Sequence, residues 1–143
     1  MGSFLSWLFP NLSMALTRDS LLVSNRDVKA TIRTFLYFEP TPSGPAVLSV
    51  GKEPSGPTYG ESLCLFDHQR FDSVRAWALE AFFRHAIREV LPKNTLINPR
   101  VVVSGIGVLG PESDPARVRT LVNALVKAGA REVVVPELQG GRS

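Results

Sequence analysis

The sequence is poor in the residues that most often perform chemistry. It has one cysteine, Cys64, and two histidines, His68 and His85, among 143 residues. A single cysteine excludes an intrachain disulfide and a cysteine-based metal cluster, and it fits a reducing cytoplasm. The sequence shows no metal-ligand spacing, nucleophile motif or P-loop, and Glu80 and Glu89 are typical of surface acids. We therefore expect no catalytic residue, no metal site and no cofactor.

The chain also has only a small excess of positive over negative charge. Sixteen Lys and Arg residues against 13 Asp and Glu residues give a formal net charge of +3. The cations are scattered, without the basic run or basic–aromatic strip that follows a phosphate backbone. Nucleic acid is therefore not an expected partner. Hydrophobic residues make up 44% of the chain, enough for one domain with a real core.

The first ten residues are apolar but too short to cross a bilayer, which takes about 20 residues. Their large apolar side chains are Phe4, Leu5, Trp7, Leu8 and Phe9. A secretory signal would have a cation before such a run, yet the first is Arg18. Two interpretations stay open, a weak interfacial membrane anchor or packing on the domain as core or edge strand. The segment itself lacks the Lys/Arg face that anionic lipid would favour.

The chain from residue 12 to residue 50 alternates between strand-like runs and turn residues. The predicted strands are 12–16, 21–24, 28–32, 35–38 and 46–50. They are rich in β-branched and aromatic residues and have short connections, which favours an antiparallel meander. Pro/Gly-rich loops at 40–45 and 54–60 act as spacers. The apolar run 62–66 follows, and we expect its Cys64 to be a small buried side chain.

A long helix is predicted from a cap at Asp72 and Ser73 to Leu91, with Pro92 ending it. Its main apolar stripe is Ala76, Leu79, Phe82, Phe83, Ala86, Ile87, Val90 and Leu91. A second apolar set lies on a different face: Val74, Trp77, Ala78 and Ala81. A helix that is apolar on two sides is either sandwiched inside its domain or uses the second face to contact a partner. The sequence leaves both interpretations open.

The last third of the chain is typical of a βαβ unit. Residues 101–103 form an apolar strand, a helix begins at Asp114 and Pro115 and stops at Gly129, and residues 132–135 return as a strand. The helical stripe is Val118, Leu121, Val122, Leu125 and Val126. Such a crossover joins parallel strands. We therefore predict an α/β fold with a mixed sheet and helices, in a domain at 11–138 with a flexible tail at 139–143.

A glycine-rich loop separates the last predicted helix from the strand before it. Gly105, Gly107 and Gly110 match G-x-G-x-x-G, and Glu137 ends the next strand. In dinucleotide-binding folds such glycines admit a pyrophosphate at the helix N-terminus, and the acid binds a ribose. Here the helix begins several residues later, and Glu112 and Asp114 lie where the phosphate should lie. These two differences argue against nucleotide binding by this loop, which is therefore the alternative function and not the main prediction.

The order of these elements resembles the N-terminal half of the MreB-type bacterial actins. That family has a strand, a helix and then a Gly-Ala-Arg-Glu-Val segment. This chain is similar to it at 99–103, in the helix that follows, and at 128–134, which reads Ala-Gly-Ala-Arg-Glu-Val-Val. Residues 11–23 lie where the family has its first phosphate-binding hairpin, 46–51 resemble its Val-Gly strand end, and 72–91 its long helix. The short apolar N-terminus is similar to the family's membrane-binding start. The resemblance implies half of an actin-like (RNase-H-like) fold.

Departures from the family pattern fall on the nucleotide-binding residues. Where the family has Asp-x-Gly-Thr, this chain has Ala15, Leu16, Thr17 and Arg18. Ala15 has no carboxylate for a metal-bound water, and Thr17 lacks the close approach that glycine permits. The family's Glu-Glu-Pro is replaced by Val-Pro-Glu at 135–137.

The resemblance therefore implies a pseudo-ATPase, a non-catalytic cytoskeletal or scaffold module. It would bind a full-length bacterial actin, itself, or the membrane-associated cell-shape machinery. It would be cytoplasmic, or peripheral on the inner face of the cell membrane. A chain with no selected role is the remaining alternative.

Overall fold

The computed structural model describes residues 11–26, 28–54, 60–66, 71–91, 98–109 and 115–137. Within these residues the strands are β1 Asn11–Leu16, β2 Ser20–Asn25, β3 Val28–Arg33, β4 Phe35–Thr41, β5 Gly44–Val50, β6 Glu61–Cys64, β7 Arg100–Ser104 and β8 Glu132–Val134. The helices are α1 Ala76–Val90 and α2 Pro115–Ala128, and short 3-10 turns cover Phe71–Ser73 and Ile106–Leu109. The predicted α/β class is confirmed.

Five strands form a mixed sheet in the order β3-β2-β1-β7-β8. The hairpins β1–β2 and β2–β3 are antiparallel, whereas β7 runs parallel to both β1 and β8. The parallel pair β7 and β8, with α2 between them in sequence, confirms the predicted βαβ unit. Because β1, β3, β7 and β8 run in the same direction, they all begin at one edge of the sheet. We call this the amino edge, and the opposite end the carboxyl edge.

The predicted meander is divided between two sheets. Strands β4, β5 and β6 form a separate antiparallel sheet in the order β5-β4-β6. The chain leaves the first sheet at Thr34, a buried residue whose hydroxyl donates to the Arg18 carbonyl at 2.6 Å. The Thr34 carbonyl accepts the Leu65 backbone N–H at 3.0 Å. These bonds satisfy the backbone at the break, so the polar groups there are not buried without partners.

Strand β6 was not predicted, and the prediction that Cys64 is buried was wrong. Cys64 is exposed, whereas Leu63 before it is half-buried and Leu65 after it is buried. Successive side chains of a strand point to opposite faces. The apolar run therefore turns its leucines toward the core and its cysteine outward.

Helix α1 buries the predicted stripe against the sheet. Leu79, Phe82, Phe83, Ala86, Ile87 and Val90 are buried. Phe66, Phe71, Phe82 and Phe83 form an aromatic cluster with centroid separations of 5.6–6.3 Å. Burial of each such ring stabilises the fold by roughly 1.5–3 kcal/mol. Ala76, predicted to belong to the stripe, is exposed because it is the first residue of the helix.

The start of α1 differs from the prediction. The N-cap residue is Arg75, without a side-chain hydrogen bond to the helix, and not Asp72. The Asp72 carboxylate is instead hydrogen-bonded to Arg117 of α2. A carboxylate with an arginine partner is not available to the backbone N–H groups of its own helix.

Helix α2 packs beside α1 on the same layer. Val118, Leu121, Ala124, Leu125 and Ala128 are buried. Val126, predicted to belong to the buried stripe, is 51% exposed. The buried side chains of the central strands β1 and β7 are Leu12, Met14, Leu16, Val101 and Val103, which belong to the same core.

Candidate functional site at the carboxyl edge

Three parallel strands end side by side at the carboxyl edge. In α/β sheets, ligands bind in the crevice outside the carboxyl ends of the strands. The β1–β2 hairpin follows β1, the turn beginning at Gly105 follows β7, and residues 135–137 follow β8. Two sequence patterns were related to nucleotide binding, the hairpin at 11–23 and the glycine-rich loop that begins at Gly105. The structure brings them together.

The β1–β2 hairpin is closed by its own hydroxyl groups. The Thr17 backbone N–H donates to the Ser20 carbonyl at 2.9 Å. The Ser20 backbone N–H donates to Thr17 Oγ1 at 3.0 Å, and Thr17 Oγ1 donates to the Ser20 carbonyl at 3.0 Å. Arg18 and Asp19 are exposed at the tip, and Ala15 is half-buried below. The hairpin therefore uses its hydroxyl groups internally and has no carboxylate at the Ala15 position.

Gly105 is required by its contact with β1. Its φ is +84°, and a Cβ added there would lie 2.0 Å from the Leu16 carbonyl oxygen. Gly107 differs, because a Cβ added there meets nothing within 4 Å. The turn after Gly105 is a 3-10 turn with buried Ile106 and Leu109. The glycine that the motif placed next to a pyrophosphate thus has a packing role, whereas Gly110 lies outside the described residues.

A carboxylate of the chain itself binds the amides of this loop. The Gly105 N–H donates to both oxygens of Glu137, at 3.2 and 3.0 Å, and the Ile106 N–H donates to Oε2 at 3.0 Å. Successive backbone N–H groups in a turn that includes a left-handed residue form a concavity that binds anions. Here that anion is Glu137, which the dinucleotide interpretation assigned to a ribose. The sequence motif thus indicated that Glu137 acts at the carboxyl edge, but it assigned Glu137 to a ribose and not to the loop amides.

An arginine on α2 connects three segments beside this edge. Arg117 donates to Asp72 with N–O distances of 3.1 and 2.9 Å, and also to the Leu109 carbonyl. Its guanidinium lies 6.0 Å from the centre of the Phe71 ring. The hydrogen bond from Arg117 lowers the pKa of Asp72 below its usual value of 3.8. The contact joins residues 45 positions apart, and no local sequence pattern predicts it.

The predicted partner face of α1 is only partly at the surface. Val74 and Ala78 are buried in the core, so their assignment as partner contacts is corrected. Trp77 and Ala81 are half-buried and pack against the core, and Trp77 meets Phe38 edge-on with a centroid distance of 5.1 Å. The contact role of these two residues stays a prediction.

Other predicted features lie outside the described residues. These are the apolar side chains of residues 4–9, His68 and the tail at 139–143. In the described part of the chain, neither helix is long and apolar enough to cross a membrane. Across the same segments, no three His, Cys, Asp or Glu side chains are grouped to hold a metal ion.

Of the comparisons with known proteins, the one with solved structures identifies the fold. No protein-family model matches the sequence, and no curated protein matches it. The structure of MreB5 of Spiroplasma citri bound to AMPPNP matches with a TM-score of 0.64 and 14% identity over 89% of this chain. The ADP-bound structure of that protein matches with a TM-score of 0.64 and 13% identity, also over 89%. The chain spans 38% and 37% of the length of those two chains. The protein therefore has a partial actin-like fold, as the sequence resemblance implied.

Proposed function

We propose that this chain is a non-catalytic actin-like scaffold module. It binds a bacterial actin filament, further copies of itself, or the membrane-associated machinery of cell shape. The observation that carries the proposal is the contact of Glu137 with the amides of Gly105 and Ile106. The groups that would bind a phosphate at the carboxyl edge already bind a carboxylate of the chain.

The β1–β2 hairpin supports the same conclusion. Ala15 has no carboxylate to position a metal-bound water, and the hydroxyl groups of Thr17 and Ser20 are hydrogen-bonded to each other within the turn, at 3.2 Å. The two similar structures described above are of MreB5 with bound AMPPNP and with bound ADP. This chain shares their fold at low identity and lacks the aspartate and glycine that the family resemblance implies at 15 and 17.

The proposal is tested by co-sedimentation of the purified chain with filaments of a full-length MreB-type actin. We expect the chain to pellet with the filaments in a saturable manner, or to assemble by itself into particles that sediment without them. A chain that is folded by circular dichroism, stays monomeric and never enters the pellet contradicts filament binding and self-assembly, and leaves the cell-shape machinery as the one proposed partner.

A titration with ATP and with NAD separates this function from nucleotide binding by the loop at 105–110. A scaffold module gives no saturable heat with either nucleotide. Saturable binding of one nucleotide, at a site mapped to Gly105 and Gly107 by amide chemical shifts, would replace the proposal with the alternative.

A further inference from the structure

Within the described residues, both helices lie on one face of the five-stranded sheet. Helix α1 contacts β2 and β3, and α2 contacts β8. The strand side chains on this face are buried, among them Leu12, Met14, Val23, Val101 and Val103. Because successive side chains of a strand point to opposite faces, the alternate residues lie on the face away from the helices. We call that side of the sheet the open face.

Strand register arranges the open face in rows that run across the sheet. From β3 to β8, one row is Lys29, Ser24, Ser13, Val102 and Val134. Toward the carboxyl edge, the next row is Thr31, Leu22, Ala15 and Ser104. Arg33 pairs with Ser20 beyond that row, and Arg100 pairs with Glu132 on the amino side.

Apolar side chains form a patch in the middle of the open face. Leu22 and Ala15 are paired in one row, and Val102 and Val134 are paired in the adjacent row. We call these four residues the apolar patch. Leu22 is 44% exposed, and the other three are half-buried. The patch spans four strands, about 14 Å at about 4.8 Å per strand, and a helix with its side chains is about 10–12 Å wide. One helix is therefore wide enough to cover it.

The parallel strands of the sheet favour a second layer on the open face. Sheets of parallel strands occur almost only with both faces covered by helices. The pairs β1–β7 and β7–β8 are parallel, and their strands contribute three of the four residues of the apolar patch. A helix adds a layer to a face, whereas a further strand would pair at an edge of the sheet. The occupant that completes this arrangement is therefore a helix.

Hydroxyl groups on and beside the open face already have partners in the chain. Ser104 Oγ donates to the Met14 carbonyl at 3.5 Å. The hydroxyl groups of Ser20 and Thr17 are hydrogen-bonded to each other at 3.2 Å. Burial of a polar group is costly when it has no hydrogen-bond partner. A helix can therefore cover these hydroxyl groups without leaving them unpaired.

The charge of the open face is positive. Strand β3 contributes Lys29 and Arg33, both exposed, along one border of the apolar patch. At the amino edge, Arg100 pairs with Glu132 at 3.0 Å, and Glu132 is the one acid among the paired strand positions of this face. Three cations against one anion leave an excess of two positive charges. A partner with acidic side chains beside the apolar contact is complementary to this face.

The amino edge, which borders the open face, is basic as well. Its cations come from the β2–β3 turn, β3, β7, the residue before β8 and the last turns of α1 and α2: Arg26, Lys29, Arg100, Arg131, Arg88 and Lys127. The described acids at this edge are Glu89 and Glu132. A second copy of the chain would bring the same positive excess to the interface, and like charges oppose such a contact. The charge therefore favours an acidic partner over a second copy.

From this arrangement we propose that the open face binds an acidic amphipathic α-helix of a partner protein. The apolar stripe of that helix packs on the apolar patch, and its carboxylates lie beside Lys29 and Arg33. The inference rests on the proposed function, because it gives the scaffold module a contact surface and a kind of partner. Its test contains no filament, so its failure leaves filament co-sedimentation, the test of the scaffold function, unaffected.

A designed peptide tests the proposal. The probe is a fluorescein-labelled, stapled helical peptide of about 18 residues, long enough to cross the face at about 1.5 Å per residue. It has leucine and alanine along one face and glutamate along the borders, and its counterpart has lysine in place of glutamate. We expect saturable binding of the acidic peptide in fluorescence anisotropy, and binding of the basic peptide at least about tenfold weaker. Equal binding of the two peptides by the folded chain, or no saturable binding of the acidic one, would overturn the proposal.

The variant Leu22→Glu tests the apolar patch. A charge in the middle of the patch should weaken binding of the acidic peptide by about tenfold or more. Val47→Glu is the matched control, because Val47 is 39% exposed on β5 of the other sheet, and it should bind as the unmodified chain does. Equal losses in the two variants, both folded by circular dichroism, would contradict docking on this face. A dimer of the unmodified chain that Leu22→Glu dissociates would replace the partner helix with a second copy.

Charge reversal tests the basic border. In the double variant Lys29→Glu and Arg33→Glu, the acidic peptide should bind more weakly and the basic peptide more tightly, so that the preference reverses. Both positions are exposed, so the fold should tolerate the change. A folded double variant that still prefers the acidic peptide would show that β3 does not select the partner.

Discussion

The last residue of β1 and the first residue after β7 are in backbone contact at the carboxyl edge. A Cβ on Gly105 would lie 2.0 Å from the carbonyl oxygen of Leu16, and Gly105 has a φ of +84°. Backbone strain and a backbone clash both oppose any side chain there. Since both strands are central in the sheet, neither can move away without breaking the β1–β7 pairing.

Gly105→Ala should therefore destabilise the fold strongly. A left-handed conformation costs an L-residue roughly 1–2 kcal/mol, and the clash adds to it, so we expect a loss of at least about 2 kcal/mol. Gly107→Ala is the matched control, since its Cβ meets nothing within 4 Å and the expected change is within about 0.5 kcal/mol. Urea unfolding measures both. Equal midpoints for the two variants would show that Gly105 does not have this packing role.

Glu137 should protect two amides of the glycine-rich loop. In Glu137→Ala, the Gly105 and Ile106 N–H groups lose their acceptor, so their hydrogen exchange should accelerate by about tenfold or more, as expected for the loss of hydrogen bonds worth about 1.5 kcal/mol. Glu137→Gln keeps an acceptor oxygen and should show an intermediate rate. NMR exchange of the two amides provides the measurement, with Val108 as an internal reference. Unchanged exchange in Glu137→Ala would remove the structural basis for a self-occupied anion site.

The Arg117–Asp72 pair should make stability depend on pH in the acid range. Because the folded state lowers the pKa of Asp72, its contribution is fully present above the ordinary value of 3.8 and is lost as pH falls through the lower folded value. The stability difference between the unmodified chain and Asp72→Asn should therefore be constant near neutral pH and shrink below about pH 4. Thermal melts from about pH 7 to about pH 2.5 measure it. A difference that grows on acidification would have the wrong sign for this pair.

Periodicity predicted the parts of the fold that depend on local spacing. The stripe from Leu79 to Val90 and the apolar strand at 101–103 specify which faces are buried, and a βαβ connection has one preferred geometry. The departure at Thr34 was not predictable, because it depends on hydrogen bonds to Arg18 and Leu65 in other segments.

The candidate surfaces were predictable only in part. The glycine-rich motif located the carboxyl edge, yet the partner of Gly105 is a carboxylate 32 positions away. The basic residues at the amino edge, which include Arg26, Arg100 and Arg131, come from six separate elements and turns, so no local sequence pattern predicts that they lie together. Local sequence patterns predict which side chains are buried. Which charged residues lie close together depends instead on which ends of helices and strands meet in the fold.

The half-buried part of the second α1 face gives the last prediction. Val74 and Ala78 are buried, so partner contact through this face would use Trp77 and Ala81, which are both half-buried. Ala81→Lys places a charge on the face at little cost to helix propensity. A charge in the middle of an interface should weaken filament co-sedimentation by about tenfold or more, equivalent to about 1.4 kcal/mol. Asn123→Lys, at an exposed position on α2, is the control and should bind as the unmodified chain does. Full binding by a folded Ala81→Lys variant would assign the filament contact to another surface.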